Sequence, residues 1–221
     1  MKKDTYLIQS SLDDLELLIK KLNFKWFHLY GQSFGGILAF EYIKRIAERY
    51  ATGDDANHNI DDDEAPECLS VILSSSPCDV KQVEAYAGKL MDELLQEDDD
   101  VSTLAERFRL QNQCRIADKP QPLVDAYSHA GTVWRGTDVI QDWKAERPRD
   151  SETFRSKRMP SAMLMRGEND FVSNECIMGW KEVFNHPFVR VKVLDGCSHH
   201  GLLENGGEYG EIVYSFFAEY D

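Results

Sequence analysis

No stretch of the 221-residue chain approaches the ~18 consecutive apolar residues that a membrane span requires. The opening Met1-Lys2-Lys3-Asp4 leads into polar chain without the apolar centre of a secretory leader, so the cytoplasm is the expected compartment. Cysteine is sparse and unpaired in pattern. Cys68, Cys78, Cys114, Cys176 and Cys197 are odd in number and form no C-x-x-C pair, which predicts reduced thiols rather than a disulfide framework or a zinc site. Positive charge is scarce: 25 Lys and Arg against 39 Asp and Glu give a formal net charge of −14, and the pI is about 4.8. Nucleic acid and anionic membrane surfaces attract clustered cations, so neither is an expected partner.

Apolar side chains are present in the amount a packed core needs, at 42% of residues. A helix is predicted over 11–22, where Leu12, Leu15, Ile19 and Leu22 share one face and Ser11 with Asp14 gives a start signal. Trp26 to Tyr30 reads as a buried strand ending at Gly31, followed after Ser33 by a helix reaching Tyr50. Leu69–Leu73, Ala162–Met165 and the alternating Val189, Val191 and Val193 read as three further strands. Helices are predicted twice within 80–112, separated by the acidic run Glu97 to Asp100. Two more are predicted at 174–184, capped by Ser173, and at 208–219. Residues 113–158 have weak periodicity and carry Trp134 and Trp143, each readable as core or as a substrate contact. Residues 52–67 are acidic and read as a solvated loop. A calcium loop fails there on Ile60 and Pro66, which occupy the turn-glycine and bidentate-glutamate positions. Strands alternating with helices imply βαβ units and a parallel sheet. The chain divides into core segments 1–76 and 151–221, with a helical cap inserted at about 77–150.

The chemistry gathers at Gly31-Gln32-Ser33-Phe34-Gly35, followed by Gly36. A bare G-x-S-x-G is weak, with about 0.07 chance matches expected in a chain this long. Its place between a strand and a helix is what a nucleophile elbow requires. A sharp turn there lifts the serine Oγ clear of the sheet, with flanking glycines avoiding clashes, and the helix N-terminus favours developing negative charge. The Phe34 N–H is then one oxyanion donor. A serine nucleophile needs a base held by an acid, in chain order Ser, Asp or Glu, His. Asp170 and His199 lie just beyond the third and fourth strands, where catalytic groups collect in open α/β sheets. Glu168 competes with Asp170 as the acid and His200 with His199 as the base. Cys197, His199 and His200 supply too few donors for a metal. The assignment is Ser33 nucleophile, Asp170 acid and His199 base, with no metal or organic cofactor.

These residues resemble the proline iminopeptidases. The likeness rests on His28 to Gly36, on Val71 to Ser76, on Gly167-Glu168-Asn169-Asp170, on Cys197-Ser198-His199 and on the segment Gly136 to Trp143. It runs from about residue 9 to the end. It implies an α/β-hydrolase fold, a catalytic triad and proteolysis by a serine aminopeptidase that releases N-terminal residues, often proline. Two features depart from the family. Phe171 stands where the family places a glutamate for the substrate's free amine, and the cap looks shortened around Tyr127 to Trp134. A buried ammonium without a carboxylate is costly, so an ester or amide substrate for a carboxylesterase- or lipase-like enzyme is the alternative. Only 32 residues precede Ser33, and no His-Gly-Gly loop offers a second oxyanion donor. The expected fold is therefore a partial α/β-hydrolase, a parallel sheet lacking the first strands, with the nucleophile strand at an open edge. The chain is expected to be a fragment of a longer enzyme or a short form that needs a partner. A catalytically impaired binding module is the reading from outside the enzymes, and a small peptide or ester is the expected substrate.

Overall fold

The computed structural model describes residues 7–52, 66–130, 140–148, 159–184 and 189–221. The acidic 52–67 region falls outside them over residues 53–65, as do Trp134 and residues 136–139. In chain order the elements are α1 (Ile8–Lys21), β1 (Trp26–Gln32), α2 (Phe34–Thr52), β2 (Glu67–Ser74), α3 (Val80–Glu97), α4 (Val101–Phe108) and a π-helical turn (Arg109–Gln113). There follow α5 (Gln121–Ser128), β3 (Ser161–Gly167), α6 (Asn174–Phe184), β4 (Val189–Leu194), α7 (Gly201–Glu204) and α8 (Gly206–Ala218).

The four strands form one sheet in the order β1-β2-β3-β4. Every pairing is parallel, with Tyr30 beside Ile72, Leu73 beside Leu164 and Leu164 beside Val191. Sequential parallel order needs a crossover between each pair of strands, which the alternating sequence pattern supplies. The central strands are covered on both faces and so read as continuous apolar runs. Val71, Leu73 and Leu164 pack with Phe40 of α2 and with Ile177, Trp180 and Phe184 of α6. Ile72, Met163 and Met165 turn to the other face and pack with Tyr209 and Phe216 of α8. The sheet thus sits between two helical layers. α1 lies outside α2 through Leu12, Ile19 and Tyr42.

β1 is an edge strand among the described residues, and Trp26 is 69% exposed. The aromatic run that reads as buried is therefore half-covered, because hydrogen-bonded neighbours lie on one side only. α1 begins at Ile8 after an N-cap Leu7 without a side-chain cap, so Ser11 and Asp14 lie inside the helix rather than at its start. Leu22 is the C-cap and is exposed. The helix stops there because Asn23 turns into the left-handed region at φ 52°. The breaks at Asp98 to Asp100 fall where the acidic run predicts, and the Asp79 and Asp100 side chains cap α3 and α4. α5 and α7 are not in the sequence reading. α5 buries one side chain, Leu123, and α7 is a single turn, so neither carries a periodic signal. All five cysteines are free. Among the described residues, no helix is long and apolar enough to cross a membrane.

Candidate active site

The C-terminal ends of the parallel strands point the same way, so the segments that follow β1, β3 and β4 meet above one edge of the sheet. After β1 the chain reverses at Ser33, whose φ is 53°, and enters α2 at Phe34. A non-glycine residue held in the left-handed region stores strain, and the surrounding bonds must over-determine it. Here the Ser33 N–H donates to the Ser74 carbonyl at 2.8 Å, and the Gly36 N–H donates back to the Ser33 carbonyl at 3.0 Å. Close packing of the turn fixes two glycines. A Cβ on Gly31 would lie 2.3 Å from the Gly35 carbonyl oxygen, and one on Gly36 would lie 2.5 Å from the Ser76 side chain. Gly35 differs from the sequence expectation, because nothing lies within 4 Å of its Cβ position. It sits on the open side of the first helical turn.

Beyond β3, Asp170 is 2% exposed, and beyond β4, His199 is 5% exposed. The two meet through Asp170 Oδ1 and His199 Nδ1 at 2.9 Å. The same oxygen accepts the Val172 N–H at 2.8 Å, while Oδ2 is buried without a hydrogen-bond partner among the described residues. A carboxylate on Nδ1 keeps the proton there and leaves Nε2 as the basic nitrogen. The loops approach closely because Gly167 has no side chain: a Cβ would lie 2.4 Å from the Ser198 carbonyl oxygen. Glu168, the competing acid, accepts instead from the Gly196 N–H at 2.9 Å on the exposed side of the turn. Phe171 lies against the His199 ring with centroids 4.3 Å apart, and Phe108 of α4 packs on Phe171 at 5.8 Å.

His200 turns elsewhere, toward the Tyr127 hydroxyl at 3.3 Å and the Gln32 side-chain amide at 3.4 Å. Burial, reinforced by the neighbouring His199, lowers its pKa to about 4. Several residues that hold the site are given no role by the sequence. Gln32 donates from Nε2 to the His199 carbonyl at 2.8 Å, tying the histidine loop beside the elbow. Glu204 of α7 accepts the Ser198 N–H and hydroxyl and the Arg115 N–H. The carbonyls of Asn112 and Gln113 accept the N–H groups of His199 and His200 at 3.3 and 3.0 Å. Trp143 packs against the core and donates to Glu41 at 2.9 Å, so it sits at the α2 side of the sheet.

No protein-family model matches the sequence, and no curated protein matches it. Solved structures do. The chain is similar throughout its length to a proline iminopeptidase of Mycobacterium smegmatis, at 20% identity over 74% of that chain with a TM-score of 0.73. It is similar to VinJ at 18% identity over 75% of that chain, with a TM-score of 0.72. The fold is a partial α/β-hydrolase fold. A carboxylesterase of the thaumarchaeon Nitrososphaera gargenis shares it at 18% identity, with a TM-score of 0.57 over 75% of that chain. The strand-end loops of this sheet carry Ser33, Asp170 and His199.

Proposed function

We propose that the chain is a serine hydrolase that works through an acyl-enzyme. The observation that carries this reading is the buried Asp170–His199 pair at 2.9 Å, held at the same sheet edge as a serine in the left-handed conformation. In the proposed cycle, Ser33 Oγ attacks a substrate carbonyl carbon while His199 Nε2 takes the serine proton. Asp170 orients the ring and stabilises the imidazolium. The carbonyl oxygen becomes an oxyanion at the start of α2, where the Phe34 N–H and the positive end of the helix favour it. Collapse breaks the carbonyl–leaving-group bond, and His199 returns the proton to the departing oxygen or nitrogen. Water then attacks the acyl-enzyme by the same route, releasing the acid and regenerating Ser33. No cofactor enters this scheme.

The substrate class follows from what lies over His199. Phe171 and Phe108 are apolar, and His200 is neutral above about pH 4. These groups favour a neutral ester or amide over a substrate with a charged amine, because none of them offers an ammonium ion a compensating carboxylate. The second reading, an aminopeptidase acting on N-terminal residues, is supported by the similarity to the mycobacterial proline iminopeptidase. Labelling by a fluorophosphonate probe tests the mechanism: it should be fast in the wild type and absent in Ser33→Ala. A folded wild-type protein that does not label would overturn it. Hydrolysis of a short acyl ester should exceed that of a prolyl anilide, and the reverse order would favour the aminopeptidase.

A further inference from the structure

The most concentrated hydrogen bonding near the site belongs to a segment the proposed mechanism does not use. Between α4 and Cys114 the chain widens into a single π-helical turn, with the Cys114 N–H reaching back five residues to the Arg109 carbonyl at 2.7 Å. Such turns are rare because the wider ring sacrifices regular hydrogen bonding, and they persist where something holds them. Here the holder is Arg109, 3% exposed. Its guanidinium donates to the carbonyls of Cys114 at 2.9 Å, Ile116 at 3.0 Å and Ala117 at 3.1 Å. Glu106, one turn earlier, supplies the neutralising carboxylate. A planar cation with five donors suits three converging carbonyls in a way that lysine cannot reproduce.

The locked turn faces the two loops that bear the acid and the base. The Asn112 and Gln113 carbonyls take the backbone N–H groups of His199 and His200. The Asn112 side-chain amide donates to the Asn169 carbonyl at 3.2 Å, one residue before Asp170. Asn112 therefore bonds the backbone of His199 and that of the residue before Asp170. We propose that Arg109 and Asn112 are positioning residues: the π-turn, clamped by Arg109, sets the separation of the acid and base loops and hence the orientation of the His199 ring. This rests on the serine-hydrolase reading for its effect on rate, but not for its effect on geometry.

Arg107 makes the control possible. It lies two residues earlier, in α4, and likewise binds three backbone carbonyls, those of Leu94, Asp98 and Asp100, where α3 gives way to α4. The test compares Arg109→Met, Arg109→Lys, Asn112→Ala and Arg107→Met. Two readouts are taken on folded full-length protein: the fluorophosphonate labelling rate, and the low-field proton NMR signal of His199 Nδ1–H, identified by its loss in His199→Ala. Asn112→Ala and Arg109→Met should slow labelling by up to about 100-fold, the scale at which a misplaced catalytic group costs rate, and should shift or broaden the Nδ1–H signal. Arg109→Lys should recover little, and Arg107→Met should change neither readout. Equal effects from Arg107→Met and Arg109→Met, or an unchanged Nδ1–H signal in both Arg109→Met and Asn112→Ala, overturn the proposal. Should the wild type itself fail to label, the hydrolase reading falls, and the NMR comparison alone decides the positioning role.

Discussion

Ser33 carries most of the chemical expectation, but the residues around it show which details of the elbow are compulsory. Gly31 and Gly36 face backbone and a buried serine at separations no Cβ tolerates, whereas Gly35 faces open space. Gly31→Ala should therefore cost about 3 kcal/mol or more of stability through overpacking. Gly35→Ala should be neutral or stabilising by up to about 1 kcal/mol, since its φ suits any residue. Denaturant titration of the two variants checks the contrast. Asp170→Asn should keep the fold and lower the turnover of any ester substrate by about 10⁴-fold, because the wrong tautomer of His199 is then favoured. His200 supplies a pH signature separate from catalysis. Its folded pKa of about 4 lies below the ordinary value of 6.5. Between those values the unfolded chain binds the extra proton, so stability falls as pH drops from about 6.5 to about 4. His200→Gln should flatten that part of the profile, as followed by Tm against pH, and an unchanged slope would refute the contribution.

At the scale of elements, one side chain seats the last helix on the sheet. α8 docks through Tyr209, whose hydroxyl donates to the Ser74 Oγ at 2.6 Å and lies 2.6 Å from the Tyr30 hydroxyl. Burial raises the Tyr209 pKa, so the phenol stays protonated and serves as a donor. Tyr209→Phe leaves Ser74 and Tyr30 without this partner and should cost about 1–3 kcal/mol, measured by urea unfolding. β1 presents a different problem. It is flanked on one side only among the described residues, and Trp26 on the strand and Phe24 just before it are exposed. Apolar edges of this kind pair with other chains. Trp26→Lys should lower light scattering at raised protein concentration while leaving stability within about 0.5 kcal/mol, as expected for an exposed position. Increased scattering would count against edge-driven association.

For the whole molecule, the formal charge of −14 sets the response to salt. Self-repulsion destabilises the compact state, and screening relieves it over a Debye length of about 10 Å at 0.1 M. Tm should rise with added sodium chloride between low salt and about 0.2 M; a fall would show that paired surface charges dominate. By itself the sequence determined the alternation of elements, the parallel sheet, and the Ser33, Asp170 and His199 candidates. Those features are local: central strands covered on both faces are written as unbroken apolar runs, and the elbow's close packing requires glycine at Gly31 and Gly36, at fixed offsets from the serine. Only the tertiary structure decided that Asp170 rather than Glu168 meets His199. One residue, Asn169, separates these acids in sequence, and the turn after β3 sends one inward and the other to solvent. It alone revealed the seats of Gln32, Asn112 and Glu204 as well, because their hydrogen bonds join segments far apart in the chain. It alone revealed the π-turn and the three carbonyls that the Arg109 guanidinium holds beside it, since neither leaves a periodic signal in the sequence.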